Sequence, residues 1–163
     1  MTASRQELTG AASEAMVELI SGLARWDLFG GLTFDQRRCP QEVLFCGTKV
    51  PRRIPVDSAR VRFQNFVRRA EKTLGRELRY VAALESQANG WPHLHPLLSL
   101  EGGLQAGDVI ALGGLWYDAN GYGRLEAPRS LADVTGYCAK YLLKDLATGA
   151  LLISPRIEGN RES

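Results

Sequence analysis

Apolar positions in three stretches of the chain recur at intervals of three and four residues, which predicts amphipathic helices. The predicted helices cover residues 4–25, 57–74 and 131–146. Asp57 or Ser58 is expected to cap the second helix and Gly75 to end it, whereas Ser130 caps the third, which ends near Gly149. The predicted buried positions of the first two helices are Ala12, Met16, Leu19, Ile20 and Leu23, then Val61, Phe63, Phe66, Val67 and Ala70.

Other stretches favour strands. Apolar and polar residues alternate strictly over 77–85, and an Asn89-Gly90 turn separates this stretch from a second strand at 91–100, so the pair predicts a β-hairpin. Shorter strands are predicted at 26–34, 121–127 and 151–154. Residues 36–56 contain three prolines and are expected to be mostly loop, and 104–117 could be a helix weakened by Gly113 and Gly114 or irregular structure.

The order of these elements predicts an α+β fold, in which helices pack on an antiparallel sheet. The 163 residues suit a single domain, with an N-terminal helix (1–25), a core (26–146) and a tail (147–163). No stretch has the length and hydropathy of a membrane span or a secretory signal. The irregularly spaced Cys39, Cys46 and Cys138 predict three reduced thiols in a cytoplasmic protein.

The two histidines of the chain, His93 and His95, lie two residues apart on a predicted strand and so point to the same face. Two adjacent imidazoles suit a divalent metal ion, and Glu85 on the preceding strand could be a third ligand. This requires the loop Ala88-Asn89-Gly90, since a two-residue turn would turn Glu85 to the opposite face. The alternative is two half-exposed histidines on an ordinary strand.

Residues 137–144 repeat the pattern Tyr-x-x-Lys. On a helix, Tyr137, Lys140, Tyr141 and Lys144 fall within a sector of about 100°. A nearby ammonium group or metal ion favours the phenolate form that tyrosine needs as a nucleophile, and lysine can also hold a phosphate. The alternative is an amphipathic face with its rings on the sheet and its ammonium groups in water.

Charge is unevenly distributed although the whole chain is only +2. Residues 36–80 contain twelve basic and four acidic residues, a net charge of +8, so the remainder carries −6. Arg52, Arg53, Arg60 and Arg62 flank the start of the second helix and predict a phosphate-binding face, the alternative being a solvated helix surface.

Taken in order, three segments of the sequence resemble the motifs of rolling-circle replication initiators, the HUH endonuclease superfamily. They are FGGLTF (29–34), His93-Leu94-His95 and YCAKYLLK (137–144). The two-tyrosine form is similar to initiators of small single-stranded DNA phages and related transposases. Gly30 and Gly31 depart from the bulkier residues usual in the first motif, and no helicase or P-loop segment is present. The chain is therefore expected to be a minimal nuclease or a fragment of a longer initiator.

The resemblance implies a ferredoxin- or RRM-like βαββαβ core with the tyrosine helix over the sheet. It implies Mg²⁺ or Mn²⁺ on Glu85, His93 and His95, and nicking of single-stranded DNA through a 5′-phosphotyrosine, with Lys140 and Lys144 stabilising charge. The primary nucleophile is open between Tyr137 and Tyr141, and the pattern kept by single-tyrosine initiators favours Tyr141. A host helicase and polymerase are compatible further partners.

Two functions from other classes remain as hypotheses. One is a DNA-binding module that retains the fold and the basic helix without catalysis. The other is a metal-dependent oxygenase using two histidines and a carboxylate, which would leave the Tyr-x-x-Lys repeat and the +8 segment unexplained.

Overall fold

The computed structural model describes residues 5–143 and 151–158. The strands are β1 (Leu28–Thr33), β2 (Gln41–Val43), β3 (Lys49–Pro51), β4 (Leu78–Ser86), β5 (Pro92–Leu100), β6 (Gly123–Glu126) and β7 (Leu151–Ile153). The helices are α1 (Arg5–Gly22), α2 (Val56–Leu74), α3 (Asp108–Ala119), α4 (Leu131–Tyr137) and α5 (Pro155–Glu158). A 3₁₀ turn covers Gln36–Arg38, and a π-helical turn, Cys138–Leu142, continues α4.

Five strands form one antiparallel sheet in the order β6-β1-β5-β4-β7. The first four of these strands and the helices α2 and α3 give the βαββαβ order of the expected core, and β7 extends the sheet beyond β4. The predicted α+β class with an antiparallel sheet and packed helices is therefore confirmed, and the fold is compatible with that of HUH endonucleases.

Helices cover both faces of the sheet, and each strand divides its side chains between them. The rear core lies between the sheet and α2 and α3, where Phe63, Leu94, Leu98 and Trp116 are buried. On the front face, Val81, Ala83 and Leu97 pack against α1, α4 and the π-helical turn in a second cluster. Because successive strand residues point to opposite faces, odd-numbered positions of β4 and β5 face the front.

Several local expectations need correction. Helix α2 begins at Val56 with Pro55 at its N-cap position, so neither Asp57 nor Ser58 is its cap; Gly75 does end it, with φ 64°. Val61 is half-exposed on α2, as is Leu19 on α1. The Ser130 cap is confirmed by its bond from the Asp133 N–H.

Two regions contain more regular structure than expected. Residues 36–56 include the β2–β3 hairpin, and the ambiguous stretch 104–117 is α3, shifted to Asp108–Ala119. Leu112 and Trp116 bury one face of α3 completely, so packing compensates for the two glycines. The third predicted helix is described only to residue 143, and its end near Gly149 lies outside the described residues.

Two Gly→Ala substitutions are expected to change stability in opposite directions. At Gly30 a Cβ would lie 1.8 Å from the Arg124 carbonyl oxygen on β6, so Gly30→Ala should destabilise the protein by about 1–3 kcal/mol. At Gly113, inside α3, a Cβ would contact nothing, so Gly113→Ala should stabilise it by about 0.5–1 kcal/mol. Urea unfolding measures both values, and equal effects would contradict this packing.

Candidate active site

The register of the β4–β5 hairpin places Glu85 directly opposite His93. Three loop residues, Ala88, Asn89 and Gly90, connect the strands, and the Gln87 N–H donates to the Trp91 carbonyl at 2.9 Å. Gly90 has φ 79°, which closes this loop without strain. The predicted three-residue loop and its register are thus confirmed.

Glu85 and the two histidines lie together on the front face. His95 is buried, and its Nε2 lies 3.2 Å from Glu85 Oε2. The ring centroids of His93 and His95 are 4.4 Å apart. Gln87, which the sequence analysis did not single out, lies 3.2 Å from His93 Nδ1 and holds that ring.

Both imidazoles favour the neutral form. Burial lowers the pKa of His93, although the Glu85 charge opposes this. Burial, followed by the charge on His93, lowers the pKa of His95 to about 4, and its hydrogen bond to Glu85 opposes the shift. At neutral pH the contact between His95 and Glu85 is therefore a hydrogen bond to an uncharged ring, and neutral imidazole is the form that ligates metals.

The two tyrosines lie over this cluster but in different environments. Tyr141 is half-buried, and its ring stacks on His95 with centroids 4.0 Å apart and planes 18° apart. Tyr137 is buried beside Phe29, and its hydroxyl donates to the Gly30 carbonyl. Burial raises the pKa of Tyr137, which disfavours its phenolate.

The π-helical turn brings both tyrosines onto the sheet. Their ring centroids are 4.9 Å apart. The exposed Lys140 places its Nζ 4.7 Å from the centroid of the Tyr141 ring. Such turns interrupt α-helices most often at functional sites. The predicted fourth member of the face, Lys144, lies outside the described residues.

Gly31 explains one departure from the bulkier first motif. A Cβ at this position would lie 2.9 Å from His93 Nε2. A larger residue on β1 would therefore displace the imidazole, so the glycine provides the space in which His93 lies.

The fit of these side chains to a divalent ion is good in chemistry but incomplete in alignment. Two imidazoles and a carboxylate are suitable donors, and the 3.2 Å between His95 Nε2 and Glu85 Oε2 is close to the roughly 3 Å between neighbouring ligands at octahedral bond lengths of about 2.1 Å. Within residues 5–143 and 151–158, however, no three His, Cys, Asp or Glu side chains form a ready-made metal cluster. His93, oriented by Gln87, is the donor that is not aligned.

The predicted basic residues lie behind the sheet rather than beside the tyrosines. Arg52, Arg53 and Arg62 line a cleft of about 260 Å³ at the start of α2, together with Pro40 and Ser58; we call it the arginine cleft. The residues around it do not include Arg60, which points elsewhere on α2. In the described part of the chain, none of the three cleft arginines is paired with a carboxylate.

The cleft and the histidine cluster nevertheless share one end of the sheet. The Arg53 guanidinium lies against Gly90 in the β4–β5 loop, close enough that a Cβ there would be 2.6 Å from Nη1. Glu85 and His93 are near the same loop. A polymer passing around this end of the sheet could contact both.

Residues 27–146 match the family model of the replication-associated protein ORF2. The chain belongs to this family. The family has a replication-associated role in initiation, which entails DNA binding and, in general terms, nuclease or transferase activity. No curated protein and no solved structure shows a significant match to the chain. None of the helices in the described ranges of this replication-associated protein is long and apolar enough to cross a membrane.

The two tyrosine hydroxyls are expected to contribute differently to stability. Tyr137→Phe leaves the buried Gly30 carbonyl without that donor and should cost about 0.5–1.5 kcal/mol. Tyr141→Phe keeps the stacked ring and should stay within about 0.5 kcal/mol of wild type. Denaturant unfolding of the two variants provides the comparison, and a larger loss for Tyr141→Phe would contradict the assigned environments.

Proposed function

We propose that this protein cuts a single DNA strand and keeps the 5′ phosphate on a tyrosine, so that replication starts from the released 3′-OH. The observation that best supports this is the stacking of Tyr141 on His95, at 4.0 Å between ring centroids, with Glu85 3.2 Å from the same imidazole. A potential nucleophile beside metal-type donors is the arrangement expected of a tyrosine-dependent phosphoryl transferase.

Glu85, His93 and His95 would hold the divalent ion, Mg²⁺ or Mn²⁺. An ion bound by them supplies Lewis-acid polarisation of the scissile phosphate and offsets its negative charge. The three-residue hairpin loop keeps Glu85 on the histidine face, and Gly31 leaves room for the His93 ring.

Tyr141 is the proposed primary nucleophile. Its hydroxyl oxygen bonds to the scissile phosphorus as the bond from phosphorus to the 3′ oxygen breaks. The phenol proton is lost and the leaving 3′ oxygen gains one, so one phosphodiester replaces another. Lys140 places a positive charge next to the Tyr141 ring, where it favours the phenolate and the charged transition state. Lys144 is proposed to assist in the same way.

Tyr137 is proposed to have a secondary role. Its buried hydroxyl, bonded to Gly30, must leave that carbonyl before it can attack a phosphate. It would therefore take a strand only in a later transfer step, while in the first step it supports the ring of Tyr141. A cytoplasmic host helicase and polymerase would then extend the free 3′-OH.

The nucleophile assignment predicts how single substitutions affect covalent adduct formation. With labelled random-sequence single-stranded DNA and Mn²⁺, wild type should give a protein–DNA band on a denaturing gel, abolished by chelator. Tyr141→Phe should reduce its rate by at least about 10³-fold, whereas Tyr137→Phe should retain it within about tenfold.

Two outcomes would contradict the proposal. An adduct formed by the Tyr137→Phe, Tyr141→Phe double variant would exclude both tyrosines. DNA binding by wild type without any cleavage, unaffected by chelator, would instead favour the non-catalytic DNA-binding module.

The arginine cleft is proposed to hold backbone phosphates of the same strand. Replacing Arg52 and Arg53 by Ala should weaken single-stranded DNA binding and reduce the slope of log affinity against log salt by about 1.4, since each lost phosphate contact accounts for about 0.7. Arg129→Ala is the matched control, because Arg129 is exposed but paired with Asp133. Anisotropy titrations over a range of salt concentrations give the slopes, and an unchanged slope in the double variant would refute the cleft's role.

A further inference from the structure

The β2–β3 hairpin projects from the molecule as a separate two-stranded sheet. We call it the finger, residues 41–51. Its strands and loop are exposed throughout, apart from partial burial of Val50 and Pro51 at its base. Leu44 donates its N–H to the Thr48 carbonyl at 2.9 Å, so three residues, Phe45, Cys46 and Gly47, form the loop.

The tip of the finger is apolar without a structural reason. Val43, Leu44 and Phe45 are all exposed, and the Phe45 side chain is fully so. The loop needs only Gly47, which has φ 84°, and loop positions of this kind usually carry polar residues. Phe45 therefore contributes little to the fold, and a fully exposed aromatic ring on a projecting tip indicates a binding role.

The base of the finger is the wall of the arginine cleft. The Arg52 N–H donates to the Pro40 carbonyl at 2.7 Å, and both residues line the cleft. Five residues separate this base from Phe45, so the ring lies up to about 17 Å away at the rise of an extended strand. An apolar aromatic surface thus continues directly from unpaired positive charge.

This combination matches one kind of partner. Single-stranded DNA offers phosphates to arginines and an unstacked base to an aromatic ring, and proteins that bind it combine a basic groove with such rings. An apolar protein partner would match the tip but not the adjoining three arginines. We propose that Phe45 stacks on a base of the strand whose phosphates lie in the arginine cleft, outside the nucleotides at the tyrosines. This inference rests on the proposed function only for the identity of the strand.

Equilibrium binding without metal tests the inference independently of cleavage. With fluorescein-labelled oligo-dT in chelator, Phe45→Ala should weaken binding by about 5- to 150-fold, the range measured for loss of one base–aromatic stack. Phe45→Trp should restore it. Ile110→Ala, which removes a comparably exposed apolar side chain from α3, should leave affinity unchanged. All three variants should keep the melting temperature of wild type.

An abasic oligonucleotide of equal length separates stacking from charge. Wild type should bind it as weakly as Phe45→Ala binds oligo-dT, and Phe45→Ala should lose nothing further. Equal losses for Phe45→Ala on both ligands, or a change in sedimentation with unchanged DNA affinity, would overturn the inference, the latter in favour of self-association. Absence of nicking by wild type would instead defeat the proposed function and leave the binding result interpretable.

Discussion

The register between β4 and β5 determines which side chains meet the tyrosines. With Glu85 opposite His93, the odd-numbered residues of both strands face α4 and the π-helical turn. A slip of one residue would turn Glu85 to the rear core and bring an apolar side chain to the front. Gly90 enforces the register, because its left-handed conformation closes a loop of three residues rather than two.

The remainder of the sheet makes this polar arrangement tolerable. Rows of leucine on the even-numbered positions of β5 pack against α2 and α3, so the rear core stabilises the strands on which the histidines lie. Burial at the front keeps both imidazoles neutral, and stacking on His95 fixes the Tyr141 ring where its hydroxyl remains accessible from solvent. Tyr137, bonded to Gly30, connects α4 to β1 and contributes to the position of its neighbour.

Local signals in the sequence predicted much of this arrangement. The alternation in β4 and β5 and the loop glycine gave the hairpin, and the His-x-His spacing placed both rings on one face. The helix α3 was ambiguous because Gly113 and Gly114 reduce its local propensity, and it forms through tertiary burial of Trp116. The β2–β3 hairpin has no buried face, so no hydrophobic alternation marked it.

Features that depend on three-dimensional proximity could not be predicted from the sequence. The contact of Gln87 with His93, the space above Gly31 and the π-helical turn have no periodic signal. The basic residues were correctly grouped by charge, but only the topology reveals that three of them line a cleft behind the sheet while Arg60 does not. The difference between the two tyrosines likewise arises from burial, which their shared motif does not encode.

The central claim is that Tyr141, stacked on His95, attacks the phosphate. Peptide mapping by mass spectrometry, after incubation of the unmodified chain with random-sequence single-stranded DNA and Mn²⁺, tests it most directly. The account predicts a nucleotide mass on the peptide that contains Tyr141, attached at that residue. Attachment at a residue outside the tyrosine pair, or at Tyr137 alone, would contradict it.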